Sequence, residues 1–314
     1  MNAVRLLALA SLLLACTKSG SGDAGAPAAS DDAAPPDVKV AAGDDGGGDS
    51  GVLNATTLPA ASVARMVNPE SLPAYAGPTG VIEGVVTVTG DEAPKTTADF
   101  SRCPAAEKTW GRKFREGVLG PGGVRPLADA VVVVTGYKGF YVKEKDEAEE
   151  IRIEGCGYTA RTVTMTFGQR LEVKNLSKDF WTPVLEPGSN MILMMAPPQG
   201  DPVKIYPKKP GHYLLVDRDR KYAVVDVYAF LHPLHAATTP TGYYRIEGVP
   251  VTSGGAKLKV SSMHPQFDAT ADAEVEVKAG EVAKVDLTLK YKTPPDAGAP
   301  KDAGPDAPYH PILR

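Results

Sequence analysis

Hydrophobic and polar residues alternate with period two along most of the chain from about Gly80 to Lys292. Val81-Ile82-Glu83-Gly84-Val85-Val86-Thr87-Val88 opens the pattern, and Ala130-Val131-Val132-Val133-Val134 follows after a long loop. Shorter runs of the same kind occur at 151–153, 162–166, 171–174, 212–216, 223–228, 243–246, 257–260, 273–277 and 282–289. β-branched residues dominate these runs, and Gly and Pro punctuate them at short intervals. That combination predicts strands, and strands at this spacing predict β-sandwiches. Only Ala105 to Arg115 has helical character, and no amphipathic helix is expected elsewhere.

The flanks read differently. Thr17 to about Ala60 is built from Ala, Gly, Asp, Ser and Pro with hardly an aromatic, and Thr293 to Pro308 returns to the same composition. Asp23-Ala24-Gly25-Ala26-Pro27 recurs letter for letter as Asp296-Ala297-Gly298-Ala299-Pro300. Such segments bury too little surface to offset their ordering entropy, so both read as solvated spacers.

Ahead of the first spacer, Arg5 precedes an apolar run from Leu6 to Ala15 broken only by Ser11. As a helix this run reaches only ~15 Å, about half a bilayer core, which fits an export signal better than a membrane span. Its end, Leu13-Leu14-Ala15-Cys16, resembles the bacterial lipobox: a small residue before the cut and a thiol after it. The resemblance implies a diacylglyceryl group on Cys16, anchoring the chain to the lipid bilayer through acyl chains that contribute ~0.8 kcal/mol per buried methylene. An ordinary signal peptide with a chance cysteine is the alternative. Thr17 in place of an aspartate favours the outer membrane by enteric sorting rules, facing the periplasm or the cell surface.

Composition narrows the remaining classes. The formal net charge of −4, with no basic run, argues against nucleic-acid binding. After Cys16 only Cys103 and Cys156 remain. In an oxidising compartment they are expected to pair, closing a loop worth ~4 kcal/mol in the chain-entropy model; two separately buried thiols are the alternative. No Gly-x-Ser-x-Gly elbow, phosphate-cradling loop or Cys-x-x-Cys is present, and no carboxylate has an identifiable acid–base partner. No enzyme, catalytic residue or cofactor is therefore expected.

From Val81 to Leu289 the chain resembles a bacterial family that combines a cupredoxin-like sandwich with a carboxypeptidase-regulatory, transthyretin-like sandwich. The landmarks are Gly80-Val81-Ile82-Glu83-Gly84-Val85-Val86, Cys103, Cys156-Gly157-Tyr158, the Asn175 loop and Pro210-Gly211-His212-Tyr213. His232-Pro233, Thr239, Gly242 and Val249-Pro250 follow in order. The resemblance implies an all-β chain of Greek-key sandwiches between disordered ends. Its parts are a signal at 1–15, a lipidated tether at 16–79 and a cupredoxin-like sandwich at 80–235. Transthyretin-like strands follow at 236–292, with the 80–90 strand able to pack on them, and a tail at 293–314.

The family's copper is held by His, Cys, His and Met, a soft-ligand set. Those positions fall here on Trp181, Asp217, Arg220 and Ala223. An indole cannot coordinate copper usefully and a guanidinium brings positive charge, so type-1 copper chemistry is not expected. Re-routed metal binding could draw on His232-Pro233-Leu234-His235 or Met191-Ile192-Leu193-Met194-Met195. The first reads more simply as a structural turn, the second as a buried strand. Asp217-Arg218-Asp219-Arg220 reads as a solvated or mutually paired loop.

Two aromatic groups are candidate binding residues: Phe180 with Trp181, and Tyr137 with Phe140 and Tyr141 beside Gly139. Exposed aromatics stack on sugar rings or anchor protein partners. Trp181 could instead pack into the former metal position. The expected function is a non-catalytic binding or scaffolding module for an envelope protein or a glycan; carbohydrate binding draws further on the shared architecture of transthyretin-like and starch-binding-like sandwiches. A metal-handling protein is the competing reading.

Overall fold

The computed structural model describes residues 57–187, 194–251 and 256–294. The chain is all-β. The strands in order are β1 (Thr79–Gly90), β2 (Arg125–Pro126), β3 (Val131–Thr135), β4 (Ala148–Glu154), β5 (Gly157–Tyr158) and β6 (Thr162–Thr166). Next come β7 (Arg170–Asn175), β8 (Pro183–Glu186), β9 (Val203–Ile205), β10 (Gly211–Asp217) and β11 (Val224–Phe230). The last are β12 (His235–Ala237), β13 (Tyr243–Pro250), β14 (Leu258–His264), β15 (Phe267–Val275), β16 (Val282–Lys284) and β17 (Leu287–Tyr291).

These strands form four sheets. β6-β11-β10-β8 and β5-β4-β7-β9 face each other across a core that includes Ile151, Met165, Leu171, Ile205, Leu215 and Val227. β13-β1-β16, with β17 and β2 also on β1, faces β12-β3-β14-β15 across a second core. β3 and β11 lie between the two cores. Val132 and Val134 turn into the second core, whereas Val131 and Val133 meet Tyr228, Phe230 and Met263 in a third cluster joining the sandwiches. Burial on both faces accounts for the unbroken valine run of β3, which alternation alone would not produce.

The sheets divide the strands differently from a cut at 235/236, and the 80–90 strand does pack with the later strands, as the resemblance allowed. The first sandwich is the contiguous segment β4–β11, and the second is discontinuous, built from β1–β3 and β12–β17. β1 pairs antiparallel with β13 and parallel with β16 and β17. Gly84 permits this, because a Cβ there would collide with the Val285 carbonyl. The period of a strand reports its two faces but not its partner in the sheet, which is why the boundary was not visible in the pattern.

Two corrections concern the flanks. The tether was expected to run without structure to 79, but Ala60–Val67 forms a helix, α1. Beyond it the arm is tied to the body: Tyr75 N–H donates to the Tyr141 carbonyl (2.8 Å), and Tyr141 N–H to that of Pro73 (3.0 Å). Gly168, at φ +105°, leaves the space that Val63 of α1 occupies. The helical stretch expected over 105–115 shrinks to a 3-10 turn at Pro104–Ala106 and one helical turn, α2 (Glu107–Trp110).

Cys103 and Cys156 are joined by a disulfide. It holds the 104–110 segment against the first sandwich, where Trp110 Nε1–H donates to the Val224 carbonyl (3.1 Å). Among the described residues no helix is long and apolar enough to cross a membrane. Cys16, the expected leader and most of the expected tether and tail lie outside the described residues.

Candidate functional site

Three places in the fold gather chemistry-bearing side chains. The first is the loop end of the β4–β11 sandwich, where Trp181, Asp217, Arg220 and Ala223 lie. Asn175 organises it from the end of β7. Its side-chain nitrogen donates to the carbonyls of Asp179 and Ala196 (both 2.8 Å), and its oxygen accepts from Ser177 N–H (2.9 Å) and Oγ–H (2.7 Å). A buried amide is thereby satisfied on both of its functions, which locks the following loop.

Trp181 sits under that loop with no exposed surface. Its Nε1–H donates to Ser177 Oγ (3.1 Å), and its ring meets Tyr158 edge-on at 5.5 Å. The Arg220 guanidinium lies over the indole, 4.2 Å from the ring centre, in cation–π geometry. Arg220 also donates to the Phe180 carbonyl (3.1 Å) and approaches Asp179 and Asp217 at 3.5 Å each. Asp217, buried at the end of β10, accepts from Thr182 N–H (2.8 Å), Arg220 N–H (2.8 Å) and Asp219 N–H (3.1 Å). Ala223 is fully buried behind them. Burial, and secondarily the Asp217 charge, push the Tyr158 hydroxyl well above its ordinary value.

The four positions therefore do converge, but as one self-satisfied packing unit. Every carboxylate and guanidinium function is already engaged, the indole nitrogen is a donor only, and a cation would meet Arg220. The residues do not fit copper. Of the two readings of Trp181 the packing one holds, which leaves the ring unavailable as a binding aromatic. Of the two readings of the Asp217–Arg220 loop the mutually paired one holds, anchored by a buried carboxylate. Phe180 remains exposed (59%). Of the methionine run, Met194 is buried, Met195 is exposed and Met191 lies outside the described residues. Among the described residues no group of three His, Cys, Asp or Glu is placed to hold a metal ion.

The second place is a His–Asp pair at the seam between the sandwiches. His212 Nε2 is 2.7 Å from Asp226 Oδ1, and the ring stacks on Tyr228 at 4.4 Å. A cleft of about 390 Å³ opens beside it, lined by Phe267, Lys290 and Tyr291 among others. No serine, threonine or cysteine lines that cleft, so the pair faces no hydroxyl or thiol nucleophile of the usual kind. Its evident role is to satisfy a mostly buried carboxylate at the edge of the interface.

The third place is an aromatic cleft of about 480 Å³ between the N-terminal arm and the loop after β3. Tyr137 and Phe140 stack in parallel at 5.4 Å, and Tyr75 packs on Phe140 at 4.5 Å. Tyr141 lines the same cleft and holds the arm by the backbone bonds already described. Burial pushes the Tyr137 hydroxyl up to about 12. His232 lies edge-on to Tyr137 at 5.9 Å and completes the lining, with Asn68, Glu70 and Lys138 toward the arm and rim.

His232 and His235 have a structural setting rather than a metal one. His232 Nδ1 accepts the Leu234 N–H (3.2 Å), and His235 Nε2 lies 3.3 Å from Thr166 Oγ1, which in turn donates to Glu144. Burial lowers His232 to about 4 and His235 to about 3, so both rings are neutral near pH 7. Tyr137, Phe140 and Tyr141 were legible in the sequence. Tyr75 and His232 were missed, because one lay in an expected tether and the other in an expected turn.

No family model matches the chain, and no curated protein matches it. Among solved structures it is similar to amicyanin from Paracoccus versutus (Thiobacillus versutus), at 16% identity and a TM-score of 0.24 over 31% of this chain and 96% of that one. It is also similar to auracyanin B, at 12% identity and a TM-score of 0.23 over 31% of this chain and 97% of that one.

Proposed function

We propose that this chain is a membrane-tethered envelope lipoprotein whose folded body is a non-catalytic binding or scaffolding module, engaging its partner through the aromatic cleft. The cleft carries this reading. Three half-buried rings, Tyr137, Phe140 and Tyr141, border an open volume of a size common for ligand sites, and Tyr75 backs Phe140. The Trp181–Arg220–Asp217 corner supports it from the other side, since its polar groups are used internally. In vitro retention on a washed envelope extract tests the reading. Replacing Tyr137 and Phe140 together by serine should abolish retention while the far-UV circular dichroism stays unchanged. Undiminished retention by a folded double variant would remove the cleft from the interaction.

The anchor is a separate part of the proposal. Cys16→Ser should abolish incorporation of labelled fatty acid and move the chain from the membrane fraction to a soluble periplasmic or uncleaved form. Label remaining on the variant would contradict lipidation at Cys16.

A further inference from the structure

Resting on the reading of the cleft as the binding surface, the geometry points to a neutral pyranose ring of an envelope glycan as its ligand, with the ring's apolar face against Tyr137, which Phe140 backs, and a hydroxyl oxygen accepting from His232. Three observations carry the choice. First, the walls are aromatic and the stack is built from residues of one short loop, with Tyr137 and Phe140 nearly parallel (12°). The C–H face of a sugar and the electron-rich face of an aromatic ring are complementary.

Second, the buried polar group in the lining is a donor of fixed kind. His232 is 8% exposed, and its Nδ1 already accepts the Leu234 N–H. In the neutral ring the proton therefore sits on Nε2, on a side chain that lines the cleft. An N–H donor at the cleft wall takes a hydroxyl oxygen as its acceptor without bringing charge. Burial keeps that imidazole uncharged at neutral pH, which removes the cation an anionic ligand would need.

Third, the charges that line the cleft nearly cancel. Glu70 and Lys138 stand exposed on it, one of each sign, and no other lysine, arginine or carboxylate lines it. A phosphate, an acidic peptide or a polycation would each find only one matching charge. A neutral polyol meets every group present.

The test uses the purified full chain in detergent, with maltohexaose, cellohexaose and chitohexaose as neutral probes and a polygalacturonate oligomer as the anionic control. Saturation-transfer NMR detects contact, and calorimetry measures affinity. At least one neutral oligosaccharide should bind, with the anionic control weaker than that one. Tyr137→Ala and His232→Leu should each weaken it by at least about tenfold, and Lys284→Ala, an exposed position outside the cleft, should leave it unchanged. Phe140→Leu, which keeps an apolar side chain and fills the loop, serves if Tyr137→Ala melts early; it too should lose affinity. If no neutral oligosaccharide binds the unmodified chain, the saccharide assignment is overturned. The module reading would still stand if the Tyr137/Phe140 double variant loses envelope retention. Binding that survives both Tyr137→Ala and His232→Leu overturns the placement of the sugar in this cleft.

Discussion

Trp181→Ala is expected to destabilise the folded chain by about 3–5 kcal/mol, the usual cost of truncating a fully buried large aromatic. The indole fills the centre of the loop end of the β4–β11 sandwich, and its removal would open a cavity between Tyr158 and the Arg220 guanidinium. It would also leave Ser177 without the Nε1–H donor and Arg220 without the ring it covers. Part of the cost therefore comes from polar groups that lose partners in a dry place, beyond lost apolar area. Chemical denaturation checks it. Trp181→Phe should recover much of the loss, because the phenyl ring keeps the Tyr158 contact and a face for Arg220 while forfeiting only the hydrogen bond. If Trp181→Ala unfolds at the denaturant concentration of the unmodified chain, the corner has no structural weight.

Removing the disulfide has the second large effect. The bond closes a loop with a sequence separation of 53, and the chain-entropy model assigns such a loop about 4 kcal/mol. The segment it retains also packs on the sandwich, with Phe100 and Trp110 both meeting the Tyr222 ring. Trp110 is held by one hydrogen bond to Val224 and by a close seat on Gly157, where a Cβ would strike the indole. Arg161 adds three bonds from its buried guanidinium to the carbonyls of Thr109, Arg112 and Lys113. The Cys103→Ala, Cys156→Ala double variant should melt roughly 8–16 °C lower, taking about 2–4 °C per kcal/mol for a body of this size. Calorimetry reads it directly. A midpoint within 2 °C of the unmodified chain would mean that the Arg161, Trp110 and Phe100 contacts hold the segment without the bond.

The strands were legible where one face is wet, because alternation then shows in the letters. β1, β7 and β10 are such cases, with clean buried-and-half-buried patterns. Shorter strands were not. β8, β9 and β12 span three or four residues and offer too few positions for a period to emerge. Pairing is a different matter. β1 meets strands more than 150 residues later; the family resemblance allowed the 80–90 strand to pack there, but no local pattern encodes the register. The same limit governed the sites. Trp181, Asp217, Arg220 and Ala223 were named together only through the family resemblance; their mutual satisfaction depends on backbone N–H groups of Thr182, Asp219 and Arg220. In the cleft, Tyr137 and Phe140 announced themselves as an aromatic loop. Their partners Tyr75 and His232 arrive from distant parts of the chain, so only the fold could unite them.

Trp181, Asp217, Arg220 and Ala223 form a packed corner of side chains that serves structure and offers copper no site. Copper loading tests it most directly. The purified full chain is incubated with Cu(II), then with Cu(I) under reductant, and passed through gel filtration before metal analysis and visible spectroscopy. No stoichiometric copper should remain on the chain, no intense visible band of thiolate-to-copper charge transfer should appear, and the melting temperature should be unchanged. The two cysteines of the body are bonded to each other, and the indole, guanidinium and methyl groups at Trp181, Arg220 and Ala223 offer no ligand. One copper per chain that survives gel filtration and disappears on substitution of Asp217, or a blue absorption band on the unmodified chain, would contradict it.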